Sequence, residues 1–383
     1  MSTATQHAIA ADYVFDGAVV HRNAAVIIDG AGIVALTPRT EAPATIPMRA
    51  LPDGAWLAPG FIDVQVNGGG DVLFNDVPTV EGIRTIAAAH RKFGTTTLLP
   101  TLITDTPEKM RTAIAAVQEL VDVDPAILGI HLEGPFLSSE RPGVHEQRYI
   151  RVPTADDGAM LTAPRRGATV VTLAPERAPQ GFIRQLARAG VRVCLGHSMA
   201  TYAETRAAMA EGLTGFTHLF NAMRPMASRE PGPIAAALES PDAWFGMIVD
   251  GAHVDPAMLR LALRGAAKPM LVTDAMPPVG GSRMTFALYG ERITVRDGRC
   301  VRDDGVLAGS ALSMAAAVRN CARLLGVPLE EALRFASAHP ASFLGLDHML
   351  GRLAPGYRAD LVAFDPIGLE VLDTWVAGGA AAA

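Results

Sequence analysis

The apolar positions of the chain fall into two rhythms. From Tyr13 to about Pro59, short apolar runs alternate with turn signals: Tyr13-Val14-Phe15 before Asp16-Gly17, Ala25-Val26-Ile27-Ile28 before Asp29-Gly30, and Ile33-Val34-Ala35-Leu36 before Thr37-Pro38. Asp-Gly between β-prone runs is hairpin chemistry, so this segment predicts a small antiparallel unit ending near Ala58-Pro59-Gly60. Beyond Gly60 the pattern becomes an apolar strand followed by an amphipathic helix, repeated. Strands are predicted at Phe61–Val66, Thr95–Leu99, Ile127–Leu132, Thr169–Leu173, Val191–Leu195, Gly215–Leu219, Trp244–Val249 and Met270–Thr273. Between them Met110, Ile114, Val117 and Val121 recur at helical spacing, as do Phe182, Leu186 and Ala189. Eight strands interleaved with helices is the number that closes a (β/α)8 barrel.

After strand eight, Tyr289 to Gly309 reads as a hairpin insertion, and two Ala/Leu-rich helices follow from Ala311 to Ser337. Ala359–Phe364 and Leu369–Val376 read as strands again and are expected to rejoin the N-terminal ones, with a frayed tail from Ala377. The predicted fold is therefore α/β: a TIM-like barrel over 59–350 beside a small β-sandwich built from both chain termini, 1–58 and 351–383.

The chain has 383 residues, of which 49% are hydrophobic, enough to fill a core of barrel size. Its net charge of -6, with no Lys/Arg-rich run, argues against a nucleic-acid partner. The 3 cysteines, Cys194, Cys300 and Cys321, are scattered and odd in number, which predicts a reducing cytoplasm rather than a disulfide framework. No basic and apolar leader opens the sequence, and no window approaches a membrane span, so a soluble protein without a membrane partner is expected.

Loops after the strands of such a barrel share one face, and polar residues collect there: Gln65 and Asn67 after strand one, Glu133 after three, His197 after five, His218 after six, Asp250 and His253 after seven, Asp274 after eight. His197 and His218 end successive parallel strands. With Glu133 they make a ligand set suited to a catalytic Zn²⁺ or similar divalent ion with one position open. Asp274 is fitted to move a proton beside such a site. Each residue has a plainer role open to it: a structural hydrogen bond for either histidine, backbone capping in the Gly134-Pro135 turn for Glu133, a cap for Asp274. His131, two positions before Glu133, points one layer deeper and reads as a core hydrogen bond.

The motifs His131-Leu132-Glu133-Gly134-Pro135-Phe136, Pro142-Gly143-Val144-His145, Gly196-His197-Ser198, Thr217-His218-Leu219-Phe220-Asn221-Ala222-Met223, Arg229-Glu230-Pro231-Gly232, Asp250-Gly251-Ala252-His253 and Val272-Thr273-Asp274-Ala275, in that order, resemble the N-acetylglucosamine-6-phosphate deacetylases of the amidohydrolase superfamily. The resemblance runs from about Leu57 to Ala363. It implies hydrolysis of the acetamide of N-acetyl-D-glucosamine 6-phosphate in amino-sugar catabolism, or of the galactosamine epimer, and a homodimer. It also implies Glu133, His197 and His218 as metal ligands, Asp274 as general base and acid, and His145 polarising the acetyl carbonyl. Val144, Asn221, Ala222, Arg229, Asp250, His253, Leu307, Ala308 and Gly309 match substrate contacts, some of them supplied by the neighbouring subunit. Many superfamily relatives carry His-x-His after strand one, which builds a second metal site. Here the place reads Gln65-Val66-Asn67, and amides are poor ligands for such ions, so one ion per subunit is expected, Zn²⁺ first, with Fe²⁺, Co²⁺ or Mn²⁺ as alternatives.

Overall fold

The computed structural model describes residues 6–380. Eight parallel strands, Phe61–Val66, Thr95–Ile103, Gly129–Glu133, Ala168–Leu173, Arg192–Leu195, Leu213–Phe216, Trp244–Met247 and Lys268–Leu271, pair in chain order. The seam between the last and the first closes just past the named strands, where Val66 bridges Ala275 and the Asp274 N–H donates to Gln65 O at 3.0 Å. One large apolar cluster fills the barrel and the space beneath its helices.

The connecting helices start where the sequence offers caps. Thr79, Thr106, Thr154 and Thr201 each accept a backbone N–H of the first turn, and Thr201 with Glu204 forms a reciprocal capping box. Helix Tyr202–Glu211 stops at Gly212, whose φ of 114° suits a residue without Cβ. Helix Pro107–Leu120 buries Met110 and Val117 of the predicted stripe together with Ala113, Ala116 and Leu120, so its core face is turned by about one residue and Ile114 and Val121 are only half-buried.

Strands from both ends of the chain share one eight-stranded sheet, in which Leu361–Phe364 pairs antiparallel with Trp56–Pro59. Two small apolar clusters cover its faces, one built on Ile9, Val14, Ile28, Leu57 and Trp375 and the other on Ala8, Ala10, Ala25 and Ile27. The expected fraying from Ala377 does not hold up to Ala380, because Gly379–Ala380 pairs back on Val371–Val376; the last three residues lie outside the described range.

Two local expectations change. The insertion is four antiparallel strands, Thr285–Leu288, Glu291–Arg296, Arg299–Arg302 and Leu307–Ser310, and so begins before Tyr289; its first strand is four residues long, too short for the alternation of Phe286 and Leu288 to mark it. A third helix, Ala338–Leu344, follows Met314–Leu325 and Leu329–Ala336; Pro340 in its first turn tolerates a missing N–H there but reads as a breaker in sequence.

Strand one carries a buried polar row, Asp63, Gln65 and Asn67, on the face that points into the barrel. Asp63 accepts the Thr273 hydroxyl at 2.6 Å and the Gln65 N–H at 3.2 Å, and burial pushes its carboxyl up to about 7. An unfolded Asp titrates near ~3.9. Between these values the folded form holds a proton the unfolded chain has released, so stability falls as pH rises through the window and the full penalty stands above it. Calorimetry of wild type and Asp63→Asn at about pH 5 and about pH 8 is expected to show a steeper fall of Tm in wild type. Equal falls would mean that ionising Asp63 costs the fold nothing.

Candidate active site

Glu133 ends barrel strand three, while His197 and His218 each stand two residues past strands five and six. Strand six is shorter than its apolar run suggests, so His218 belongs to the loop, with φ 33°; His197 and Asp274 also adopt positive φ, 48° and 51°. Non-glycine residues in this region cost on the order of 1 kcal/mol each and persist where surrounding contacts fix them.

The donor atoms of Glu133, His197 and His218 lie within 4.8 Å of one another, and all three residues are buried. Glu133 Oε1 is 2.9 Å from His218 Nε2 and 3.2 Å from His197 Nε2, and the two Nε2 atoms are 3.1 Å apart. His197 Nδ1 donates to Arg141 O at 2.9 Å, which turns the Nε2 lone pair toward the centre. Two imidazole nitrogens and a carboxylate oxygen so close demand a positive charge among them. Burial lowers the His218 pKa, but the Glu133 hydrogen bond and charge more than reverse this, so it is raised; burial would lift the Glu133 carboxyl, but bonds from His197 and His218 hold it well below the ordinary range. The set fits a divalent ion.

Asp274 stands beside this focus. Its Oδ1 accepts from Asn67 Nδ2 at 2.6 Å and Gln65 Nε2 at 3.2 Å, and burial, with the Glu133 charge, pushes its carboxyl up to about 6. His145 is held by Thr104, whose N–H lies 3.3 Å and whose hydroxyl 2.7 Å from His145 Nδ1. The backbone N–H can only donate, so Nδ1 carries the lone pair and Nε2 the hydrogen. Burial, and then the neighbouring His197, hold the His145 pKa well below its usual value, so the ring is a neutral donor.

A cavity of about 400 Å³ joins these groups. Val144, His145, Asn221, Ala222, His253, Leu307 and Gly309 line it with the ligand set and Asp274, and apolar Ile103, Ile248 and Met276 complete its wall. Three of the residues matched to substrate contacts are not among its lining. Asp250 sits behind His253, taking its Nδ1–H at 2.7 Å; Ala308 is buried; Arg229 is exposed on the loop after strand six. Among the described residues lining the cavity there is no arginine or lysine. His131 bonds Thr172 at 2.8 Å, the core role expected of it.

Sequence reasoning passed over Thr104, and over Glu176, which takes the Ser198 hydroxyl at 2.7 Å and the Met199 N–H at 2.6 Å and so braces the loop carrying His197. Thr104 follows an apolar strand with no motif around it. Gln65 and Asn67 were visible as a period-two polar row inside an otherwise apolar strand, which is a signal that their side chains have partners in the barrel.

A closed parallel barrel with a buried His, His, Glu focus at its carboxyl-terminal mouth defines a class, the metal-dependent barrel hydrolases. The chain belongs to the amidohydrolase family, whose model matches residues 56–380. It is 43% identical to an N-acetylgalactosamine-6-phosphate deacetylase of Shewanella sp. (strain ANA-3), over 84% of this chain and 82% of the relative, and 36% identical to an N-acetylglucosamine-6-phosphate deacetylase of Haemophilus influenzae, over 94% and 95%. A crystal structure of N-acetylglucosamine-6-phosphate deacetylase from Pasteurella multocida superposes with a TM-score of 0.95 at 36% identity, covering 99% of this chain and 100% of the other.

Proposed function

We propose that the chain hydrolyses the acetamide of N-acetyl-D-glucosamine 6-phosphate to D-glucosamine 6-phosphate and acetate, using one divalent ion per subunit. The observation that carries this reading is the meeting of a proton carrier, Asp274, and a neutral N–H donor, His145, with the Glu133, His197 and His218 focus in one cavity. Glu133, His197 and His218 would hold the ion, and Zn²⁺ suits two imidazoles and a carboxylate. When bound, the ion polarises the acetyl carbonyl and activates water.

The side chains do the rest. Asp274 takes a proton from the attacking water and returns it to the departing amine. The His145 Nε2–H donates to the acetyl oxygen as charge develops there. Asn221, Ala222, His253 and the Leu307 to Gly309 loop contact the sugar phosphate, while Ile103, Ile248 and Met276 keep bulk water from the reacting carbon. A phosphate dianion needs a cationic donor, and the described residues lining the cavity include no arginine or lysine. We therefore assign a homodimer in which Arg229 of the partner subunit completes the site, in keeping with the exposure of that side chain. Three buried free cysteines, and no helix among the described residues long and apolar enough to cross a membrane, support a cytoplasmic location.

A second reading, the galactosamine epimer as substrate, is favoured by the 43% identity to a relative of that name. Acetate release from the two 6-phosphates, measured side by side as kcat/KM, decides between them. Release from neither would overturn the proposal. The metal count has its own check: after exhaustive dialysis, elemental analysis is expected to approach about one ion per chain, since amide side chains at the second position hold first-row ions poorly. Two ions retained equally would show that Gln65 and Asn67, or groups near them, build a second site.

A further inference from the structure

Gln65 and Asn67 stand where an imidazole pair would complete a second cation site, yet both are buried and both aim at carboxylates. Gln65 Nε2 lies 3.1 Å from Glu133 Oε2 and 3.2 Å from Asp274 Oδ1; Asn67 Nδ2 lies 2.6 Å from the same Oδ1. The orientation of both amides is forced, because an ionised carboxylate only accepts and a turned amide would set oxygen against oxygen. A primary amide has two N–H groups, and Gln65 gives one to each acid.

We propose that Gln65 and Asn67 are positioning residues forming an amide clamp, which presents Glu133 to the metal through one oxygen and reserves one oxygen of Asp274 for proton transfer. The part that concerns Asp274 rests on the deacetylase reading. The atoms divide the labour. Glu133 Oε1 is the oxygen in the ligand focus, at 2.9 and 3.2 Å from the two imidazole nitrogens, and Oε2 cannot turn inward without losing Gln65. Asp274 Oδ1 already accepts two N–H bonds, so Oδ2 is the stronger base and the one free for the proton. Two acids this close repel, and the Gln65 amide sets the positive ends of two N–H dipoles between them. In a site with His-x-His a second cation does this.

The fold delivers the clamp through register. Gln65 and Asn67 share the inward face of strand one with Asp63, and strand eight is locked beside them by the Thr273 hydroxyl on Asp63 and the Asp274 N–H on Gln65 O. A slip of one residue would turn the whole row away from the barrel.

Two near-isosteric variants without donors, Gln65→Met and Asn67→Leu, test the clamp, with Zn²⁺ affinity read by competition against a chromogenic chelator, a measurement independent of turnover. Gln65→Met is expected to weaken Zn²⁺ binding by about 10–100-fold, the scale for removing a partner of a metal ligand. Asn67→Leu is expected to leave Zn²⁺ affinity within about two-fold, as it touches no ligand, and to lower kcat at saturating metal by about 10-fold or more. In an Asp274→Asn background Asn67→Leu should cost nothing further, because the group it positions is gone. Wild-type Zn²⁺ affinity in Gln65→Met, or independent addition of the Asn67 and Asp274 effects, would overturn the proposal. If Gln65→Met does not fold, Gln65→Asn, whose amide falls one methylene short of both acids, must show the same loss of Zn²⁺ affinity. A wild-type chain that binds Zn²⁺ but deacetylates neither sugar phosphate removes the deacetylase reading alone, and the Zn²⁺ comparison still decides the role of Gln65.

Discussion

Asp274→Asn is expected to lower kcat by on the order of 10²-fold or more, the scale of general acid–base catalysis, while fold and metal content stay as in wild type. The carboxyl lies on the cavity wall beside the ligand focus, and the asparagine amide has nearly its shape but no basic oxygen. Burial and the Glu133 charge push its titration up to about 6, so it enters neutral solution as a carboxylate that accepts a proton more readily than an exposed aspartate. Stopped assays of acetate release, with circular dichroism and metal analysis on the same sample, make the check. Near-normal turnover in a folded, metal-loaded variant would take Asp274 out of the mechanism.

Arg229→Ala is expected to lower kcat/KM for the phosphorylated sugar by a factor equivalent to about 2–5 kcal/mol, the range for truncating one member of a desolvated charge pair. The unphosphorylated sugar should lose little. An equal fall on both would mean that the Arg229 loop shapes the site without reading phosphate. The loop is held for its task by Glu230, whose Oε1 accepts the N–H groups of Tyr202 at 2.8 Å and Gly232 at 3.0 Å, so the ordering cost of presenting the guanidinium is partly met before the ligand arrives. Because Arg229 does not line the cavity of its own chain, the two variants should rescue one another. In a dimer of one Arg229→Ala and one Asp274→Asn subunit, one of the two sites has both groups, and random mixing should restore about a quarter of wild-type activity. No recovery on mixing would place Arg229 in its own subunit's site.

Much of the fold was legible because its determinants are local. Turn residues, caps and apolar periodicity act within a few positions, so eight strands and their helices could be read off the chain, along with the order in which they pair. Glu133, His197, His218 and Asp274 were legible for the same reason: a strand end in a parallel barrel has a known address, and residues far apart in sequence meet there. The insertion after strand eight begins earlier than the sequence suggests because its first strand is only four residues long and closes on a single buried residue, Leu288, too little for a periodic signal.

The tertiary structure decided what depends on partners from several strands at once. Gln65 and Asn67 read in sequence as the lack of a second metal site; their value as donors exists only because strand one sets them between acids from strands three and eight. The tautomer of His145 follows from Thr104, which lies 41 positions away in sequence. The resemblance offered Arg229 as a substrate contact without saying which subunit supplies it, and only the tertiary structure leaves it outside the lining of its own chain's cavity. Residue types and their spacing follow from the chain. Which atom of each residue faces which neighbour depends on the register of whole strands, and that is set by packing over the entire barrel.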